Sequence, residues 1–119
     1  MASKATSFNR HKLKTVLKRN AHFRNVRQTS RKRDPERNAS PHADESFERE
    51  LQSFLYDVLV QVSNLRMKSF LVAWAGGHDP EHFDLYSHLF SKCLVGRWNV
   101  AVVDDVDGKG ARGWHISQF

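Results

Sequence analysis

The chain has 119 residues, with 19 Lys and Arg against 13 Asp and Glu, so its formal net charge is +6. This length suits a single domain. One cysteine, Cys93, excludes an intrachain disulfide framework and a cysteine-based zinc knuckle. The longest apolar run, residues 70–75, is too short to cross a bilayer, so we expect a soluble protein that makes no membrane contact. The expected location is cytoplasmic, or nuclear in a eukaryotic or eukaryotic-virus setting.

Positive charge is concentrated in the first forty residues. They hold twelve Lys and Arg but only two acids, Asp34 and Glu36, for a net charge of +10. The other 79 residues hold seven cations and eleven acids, for a net charge of −4. An asymmetry of this kind indicates a polyanionic partner for the N-terminal part. We therefore divide the chain into a basic nucleic-acid-binding arm with its linker, residues 1–40, and a small α+β domain, residues 41–119.

The N-terminal arm has the spacing of a weakly amphipathic helix over residues 7–29. Its apolar residues recur at helical intervals on one broad face, and they are Leu13, Val16, Leu17, Ala21 and Phe23. Residues 30–44 hold two prolines and, apart from alanine, no apolar side chain, which is typical of a linker.

Two helices are predicted in the domain that follows. Residues 45–66 carry the clearest helical stripe, formed by Phe47, Leu51, Phe54, Leu55, Val58, Val62 and Leu65. Asp44 or Ser46 can cap the start of this helix. The sequence Asp79-Pro80-Glu81 is a strong start signal for a second helix that runs to about Leu94, because it places a capping carboxylate before a proline at the first helical position.

Three segments have strand composition: residues 69–75, 98–104 and 113–119. The first two flank the second helix through short connections, which predicts a parallel βαβ unit, and the last strand would add to it antiparallel. The expected fold is therefore α+β, in the order helix-strand-helix-strand-strand, with a three-stranded mixed sheet that the long helix covers on one face.

The basic residues of the arm are the predicted nucleic-acid-binding residues. A cation that neutralises a phosphate releases a condensed counterion, so binding is favoured entropically and weakens with salt. Arginine-rich segments that fold on binding are typical of RNA recognition, which favours RNA over DNA. The predicted contacts are Arg10, Lys12, Lys14, Lys18, Arg19, Arg24, Arg27, Arg31, Lys32, Arg33 and Arg37. A ribonucleoprotein component, a viral or phage accessory protein and a packaging protein all fit this description.

A small nuclease or toxin is the enzymatic alternative. Histidine pairs can cleave RNA by general acid–base chemistry, and His78, His88 and His115 are the weak catalytic candidates. The carboxylates of residues 104–107 are candidates for a magnesium site, although they do not match a calcium-loop motif and are better interpreted as turn formers. The histidine spacing does not favour a zinc site, and the sequence has no P-loop, dinucleotide-binding or HExxH motif. We therefore expect no metal and no cofactor, and a non-catalytic protein is favoured.

Two further alternatives concern the α+β domain. Its acidic surface could bind a protein partner, as in an inhibitor or adaptor of a host factor, or form a homo-oligomer. Trp74, Trp98 and Trp114 lie on the three predicted strands. They are interpreted as core residues, and the alternative is an exposed stacking platform for unpaired bases.

Overall fold

A computed structural model of the protein describes residues 5–17, 26–28, 42–77 and 79–119. In chain order its strands are β1 (Ala5–Thr6), β2 (Leu13–Val16), β3 (Val26–Gln28), β4 (His42–Ala43), β5 (Ser69–Trp74), β6 (Trp98–Val103) and β7 (Gly113–Gln118). Its helices are α1 (Glu45–Asn64) and α2 (Pro80–Cys93), and a 3₁₀ turn, Arg10–Lys12, precedes β2. The predicted α+β class is correct.

Both predicted helices are present, and each begins at the predicted cap. The Asp44 carboxylate accepts a hydrogen bond from the Phe47 backbone N–H at 2.7 Å and another from the Ser46 hydroxyl at 2.7 Å. These bonds hold the pKa of Asp44 below its usual value, the bond from Ser46 having the larger effect. At the start of α2, the Asp79 carboxylate accepts from the His82 N–H at 3.2 Å, and Pro80 occupies the first helical position.

The prediction of a three-stranded mixed sheet is wrong. In the described residues the main sheet has five strands in the order β2-β5-β7-β6-β3, and every neighbouring pair in it is antiparallel. Strands β1 and β4 form a separate two-stranded parallel pair. Strands β5 and β6 run in the same direction, as expected for the two ends of a βαβ connection, but β7 lies between them. The final strand therefore takes the central position rather than an edge, and no parallel pair forms within this sheet.

The predicted helix over residues 7–29 is also wrong over residues 7–17 and 26–28, while residues 18–25 and 29 lie outside the described residues. Residues 13–16 form an edge strand whose register places Leu13 opposite Trp74 and Val16 opposite Leu71. Residues 26–28 pair with β6. Long-range pairing with β5 replaces the local helical preference, as is common for short segments with only moderate propensity.

The folded body consequently begins well before residue 41. Leu13 is buried in the main core, and Phe8 and Leu17 pack against that core. The Tyr86 hydroxyl accepts a hydrogen bond from the Asn9 backbone N–H at 3.1 Å. The division at residue 41 therefore does not separate residues 8–17 from the fold.

The main core lies between the two helices and one face of the sheet. Alternate residues of a strand point to opposite faces, so Val72 and Trp74 of β5 and Trp114 and Ile116 of β7 face the helices. The opposite face carries a second apolar cluster, which consists of Leu71, Ala73, Val103 and Val106, with Val16 packed against it. Neither helix of the described residues is long and apolar enough to cross a membrane.

Candidate nucleic-acid interface

Three of the predicted nucleic-acid contacts lie on the 3₁₀ turn and on β2. The Asn9 side chain begins the turn by accepting from the His11 N–H at 3.0 Å. Arg10 and Lys14 are exposed, and Lys12 is half-buried. Because β2 is hydrogen-bonded to β5, the backbone of these residues is fixed relative to the sheet.

Arg10 is held against α1. Its guanidinium lies 5.4 Å from the centre of the Phe54 ring and donates to the Asp57 carboxylate at 3.4 Å. The Arg10 side chain is 61% exposed and that of Asp57 is 48% exposed, so solvent screens the ion pair strongly. Arg10 can therefore exchange this contact for a phosphate at little cost.

Lys12 and Arg112 lie on either side of the end of β5. The Lys12 carbonyl accepts from the Ala75 N–H at 2.8 Å, and the Arg112 carbonyl accepts from the Trp74 N–H at 2.7 Å. The Lys12 ammonium lies 5.7 Å from the centre of the Trp74 ring, and the Arg112 guanidinium lies 4.4 Å from the centre of the Phe83 ring. Arg112 was not among the predicted nucleic-acid contacts. No sequence signal connects it to Lys12, because they meet only through the pairing of β2, β5 and β7.

The other eight predicted contacts lie on β3 or outside the described residues. Arg27 lies on β3, where the register pairs it with Val102. Seven others fall outside the described residues, and they are Lys18, Arg19, Arg24, Arg31, Lys32, Arg33 and Arg37. Their role as contacts stays a prediction.

The two described histidines among the catalytic candidates, His88 and His115, do not converge. His78 falls outside the described residues, and His88 is exposed on α2. His115 follows Trp114, whose ring stacks on Phe83 of α2 at 4.6 Å, so His115 points to the sheet face opposite that helix. Burial lowers the pKa of His115. The sheet therefore separates His88 from His115, and these two cannot act on one substrate bond.

The acidic residues between β6 and β7 stabilise the loop that contains them. The Asp107 carboxylate accepts from the backbone N–H groups of Lys109 at 2.8 Å and Ala111 at 3.1 Å, and that of Asp105 accepts from the Gly110 N–H at 2.8 Å. The bonds to Lys109 and Ala111 lower the pKa of Asp107. This geometry supports the turn-forming interpretation. Within the described ranges, no group of three or more His, Cys, Asp or Glu is arranged to hold a metal ion.

The three tryptophans belong to the core and its margin. Trp114 is completely buried, Trp74 is 7% exposed, and Trp98 is half-buried and contacts Phe70 edge-on at 5.8 Å. All three side chains lie on the sheet face that packs against the helices. This geometry supports the core interpretation and leaves no tryptophan platform on the opposite face.

Comparison with models of protein families, with curated proteins and with solved structures finds no match to this chain.

Proposed function

We propose that this protein binds nucleic acid without cleaving it, and that RNA is the preferred ligand. The observation that carries the proposal is the charge distribution, a net charge of +10 in residues 1–40 against −4 in the rest of the chain. Nucleic-acid phosphates form the densest line of negative charge that such a segment can meet, and counterion release favours their contact with clustered cations.

The position of β2 supports this proposal. Arg10, Lys12 and Lys14 are carried by a turn and strand whose backbone is fixed by β5, so these cations enter a complex with little loss of backbone entropy. Lys14 lies on the face opposite the helices, because its strand neighbour Leu13 faces them. Arg10 and Lys12 of the 3₁₀ turn lie against Phe54 and Trp74, rings that belong to the core on the helix side of the sheet. The turn and β2 together therefore present charge on both sides of one sheet edge.

The composition of the basic segment favours RNA. Seven of its twelve cations are arginines. A guanidinium can pair with phosphate and can also stack on an unpaired base, and single-stranded RNA offers both contacts. A protein of this kind would serve in a ribonucleoprotein or as a viral or phage accessory or packaging protein.

The described geometry does not favour the nuclease alternative. His88 and His115 lie on opposite sides of the sheet. The carboxylates of Asp105 and Asp107 accept hydrogen bonds from backbone N–H groups of their own loop.

A charge-neutralising comparison on the full chain tests the proposal. Removing residues 1–40 would also remove β2 and the buried Leu13, so a truncation would confound binding with folding. We would instead replace Arg31, Lys32 and Arg33 by Gln. The matched control replaces Arg49, Lys68 and Arg97 by Gln, because all three are exposed on the body and the control loses the same charge.

Binding of both variants to single-stranded RNA and to duplex DNA of random sequence would be measured over a salt series. We expect the first variant to lose affinity for RNA and its salt slope to fall by about 2, since each phosphate contact on a single strand contributes about 0.7. The control should match the parent chain. Equal losses in both variants, or no salt-dependent binding by the parent, would refute the proposal. Tighter binding to DNA would refute the preference for RNA.

A further inference from the structure

We propose that Lys12 and Arg112 form a paired phosphate subsite at the end of β5, where two phosphates of one RNA strand bind on either side of Trp74. The inference rests on the proposed function for the identity of the ligand. It adds Arg112, a residue of the acidic part of the chain, to the interface. It also assigns the pair a defined position on the sheet.

The backbone sets the separation of the two cations. The N–H of Trp74 donates to the Arg112 carbonyl at 2.7 Å, and the N–H of Ala75 donates to the Lys12 carbonyl at 2.8 Å. The two residues therefore flank β5 on its two neighbouring sides. Adjacent strands lie about 4.8 Å apart, so the two main chains are about 10 Å apart. Long basic side chains from such positions can bind neighbouring phosphates of the same strand.

Aromatic rings hold both cations in place. The Lys12 ammonium is 5.7 Å from the centre of the Trp74 ring, and the Arg112 guanidinium is 4.4 Å from the centre of the Phe83 ring. The two rings meet edge-on with their centres 5.9 Å apart. A cation held over a ring loses less side-chain entropy when it binds a ligand. Stacking uses the face of the guanidinium and leaves its N–H groups for a bidentate contact with phosphate.

The rings themselves are fixed. The Trp74 indole N–H donates to the Gly77 carbonyl at 3.2 Å, and Gly76 lies against the indole so closely that an added Cβ would come within 2.3 Å of it. Phe83 is buried and stacks on Trp114. The platform beneath the two cations is therefore part of the core rather than a mobile surface.

Asp104, an acid that lies beside Arg112, is a weak competitor for its guanidinium. The Asp104 carboxylate is 4.0 Å from the Arg112 Nε, and the two side chains are 46% and 45% exposed. Solvent screens an exposed ion pair at this distance, so it contributes little to stability. A phosphate that accepts two charge-assisted hydrogen bonds from the guanidinium would displace it.

The test compares two double variants of the full chain. In the first, Lys12→Gln and Arg112→Gln remove the pair. In the matched control, Lys68→Gln and Lys109→Gln remove the same charge from exposed positions, of which Lys109 lies in the same loop as Arg112. We expect the first variant to lower the salt slope for single-stranded RNA by about 1.4, for two phosphates, and the control to leave it unchanged. A third variant, Arg112→Lys, keeps the charge and should still weaken binding, because it loses the fork and the ring contact.

A second measurement does not depend on RNA. Tripolyphosphate is titrated into the parent chain, and the Arg112 side-chain Nε–H signal is followed by NMR, with Lys12→Gln as the comparison. We expect this signal to shift in the parent and to shift less in the variant. If RNA binds the parent and the first double variant with the same slope, the inference fails while the proposed function stands. If RNA does not bind the parent, the proposed function fails, and a tripolyphosphate shift at Arg112 then decides whether the pair is a phosphate site at all.

Discussion

Replacing Leu13 by Ala tests whether the basic segment is part of the fold. Leu13 is 7% exposed and lies in the main core opposite Trp74 of β5. The substitution removes three carbons, and each buried methylene contributes about 0.8 kcal/mol, so we expect the free energy of unfolding to fall by about 2 kcal/mol. Leu13 lies on an edge strand that can collapse around the lost volume, which places the effect at the low end of the usual range for such changes, about 2–5 kcal/mol.

Urea unfolding followed by tryptophan fluorescence measures this change, since Trp74 and Trp114 report on the same core. The matched control is Lys14→Ala, the next residue of β2, which is exposed and should change the unfolding free energy by less than about 0.5 kcal/mol. If Leu13→Ala changes the unfolding free energy as little as Lys14→Ala, residues 13–16 do not pair with β5. The basic arm would then be independent of the α+β domain, as the sequence predicts.

Three further substitutions test the packing, the pH response and the attachment of the N-terminal segment. Gly113→Ala should destabilise the fold by about 1–3 kcal/mol in urea unfolding, because a Cβ would lie 2.1 Å from the Val72 carbonyl oxygen on the neighbouring strand. Burial lowers the pKa of His115, so the unfolded chain takes up a proton first as the pH falls below about 6.5. The contribution of neutral His115 to the free energy of unfolding is therefore fully present above that pH and is lost below it. His115→Gln should make this loss smaller when urea midpoints are compared between about pH 7.5 and about pH 5. Tyr86→Phe removes the acceptor for the Asn9 N–H and should cost about 1 kcal/mol in the same assay, with faster amide exchange at Asn9.

The sequence predicted those elements whose signals are local. Asp44 and the Asp79-Pro80 pair mark helix starts by bonding to residues within one turn, and both helices begin where these caps predict. The residues that face the core on α1 also follow from spacing alone, and of the seven predicted only Leu65, which lies just beyond the helix, is exposed.

Strand order could not be predicted from such signals. The position of β7 between β5 and β6 depends on which hydrogen-bonding edges meet, and the short connection through α2 is compatible with either adjacent or separated strands. At β2 the apolar spacing was misleading. Leu13 and Val16 match a helical interval, yet they serve two different apolar clusters on opposite faces of the sheet. An edge strand that is apolar on both faces resembles one turn of an amphipathic helix in sequence.

In the candidate site, too, the sequence predicted what is local and missed what depends on strand pairing. Clustering in the sequence identifies Arg10, Lys12 and Lys14 as cations of one segment. It cannot identify Arg112, which joins Lys12 only because β2 and the residue before β7 flank β5. His88 and His115 were both catalytic candidates from the sequence, and the sheet keeps them apart.

The attachment of Lys12 and Lys14 to the sheet links binding to folding. If these residues contact RNA from the folded sheet, RNA binds the native state more tightly than the unfolded chain and must stabilise it. At a free RNA concentration 100 times the dissociation constant the gain is about 2.7 kcal/mol. For a body of this size that corresponds to a rise in Tm of about 10 °C or more. A basic tail independent of the fold would bind equally well before and after unfolding and would leave the Tm unchanged. Thermal unfolding with and without single-stranded RNA therefore separates cations that bind from the sheet edge from cations that bind through a tail independent of the fold.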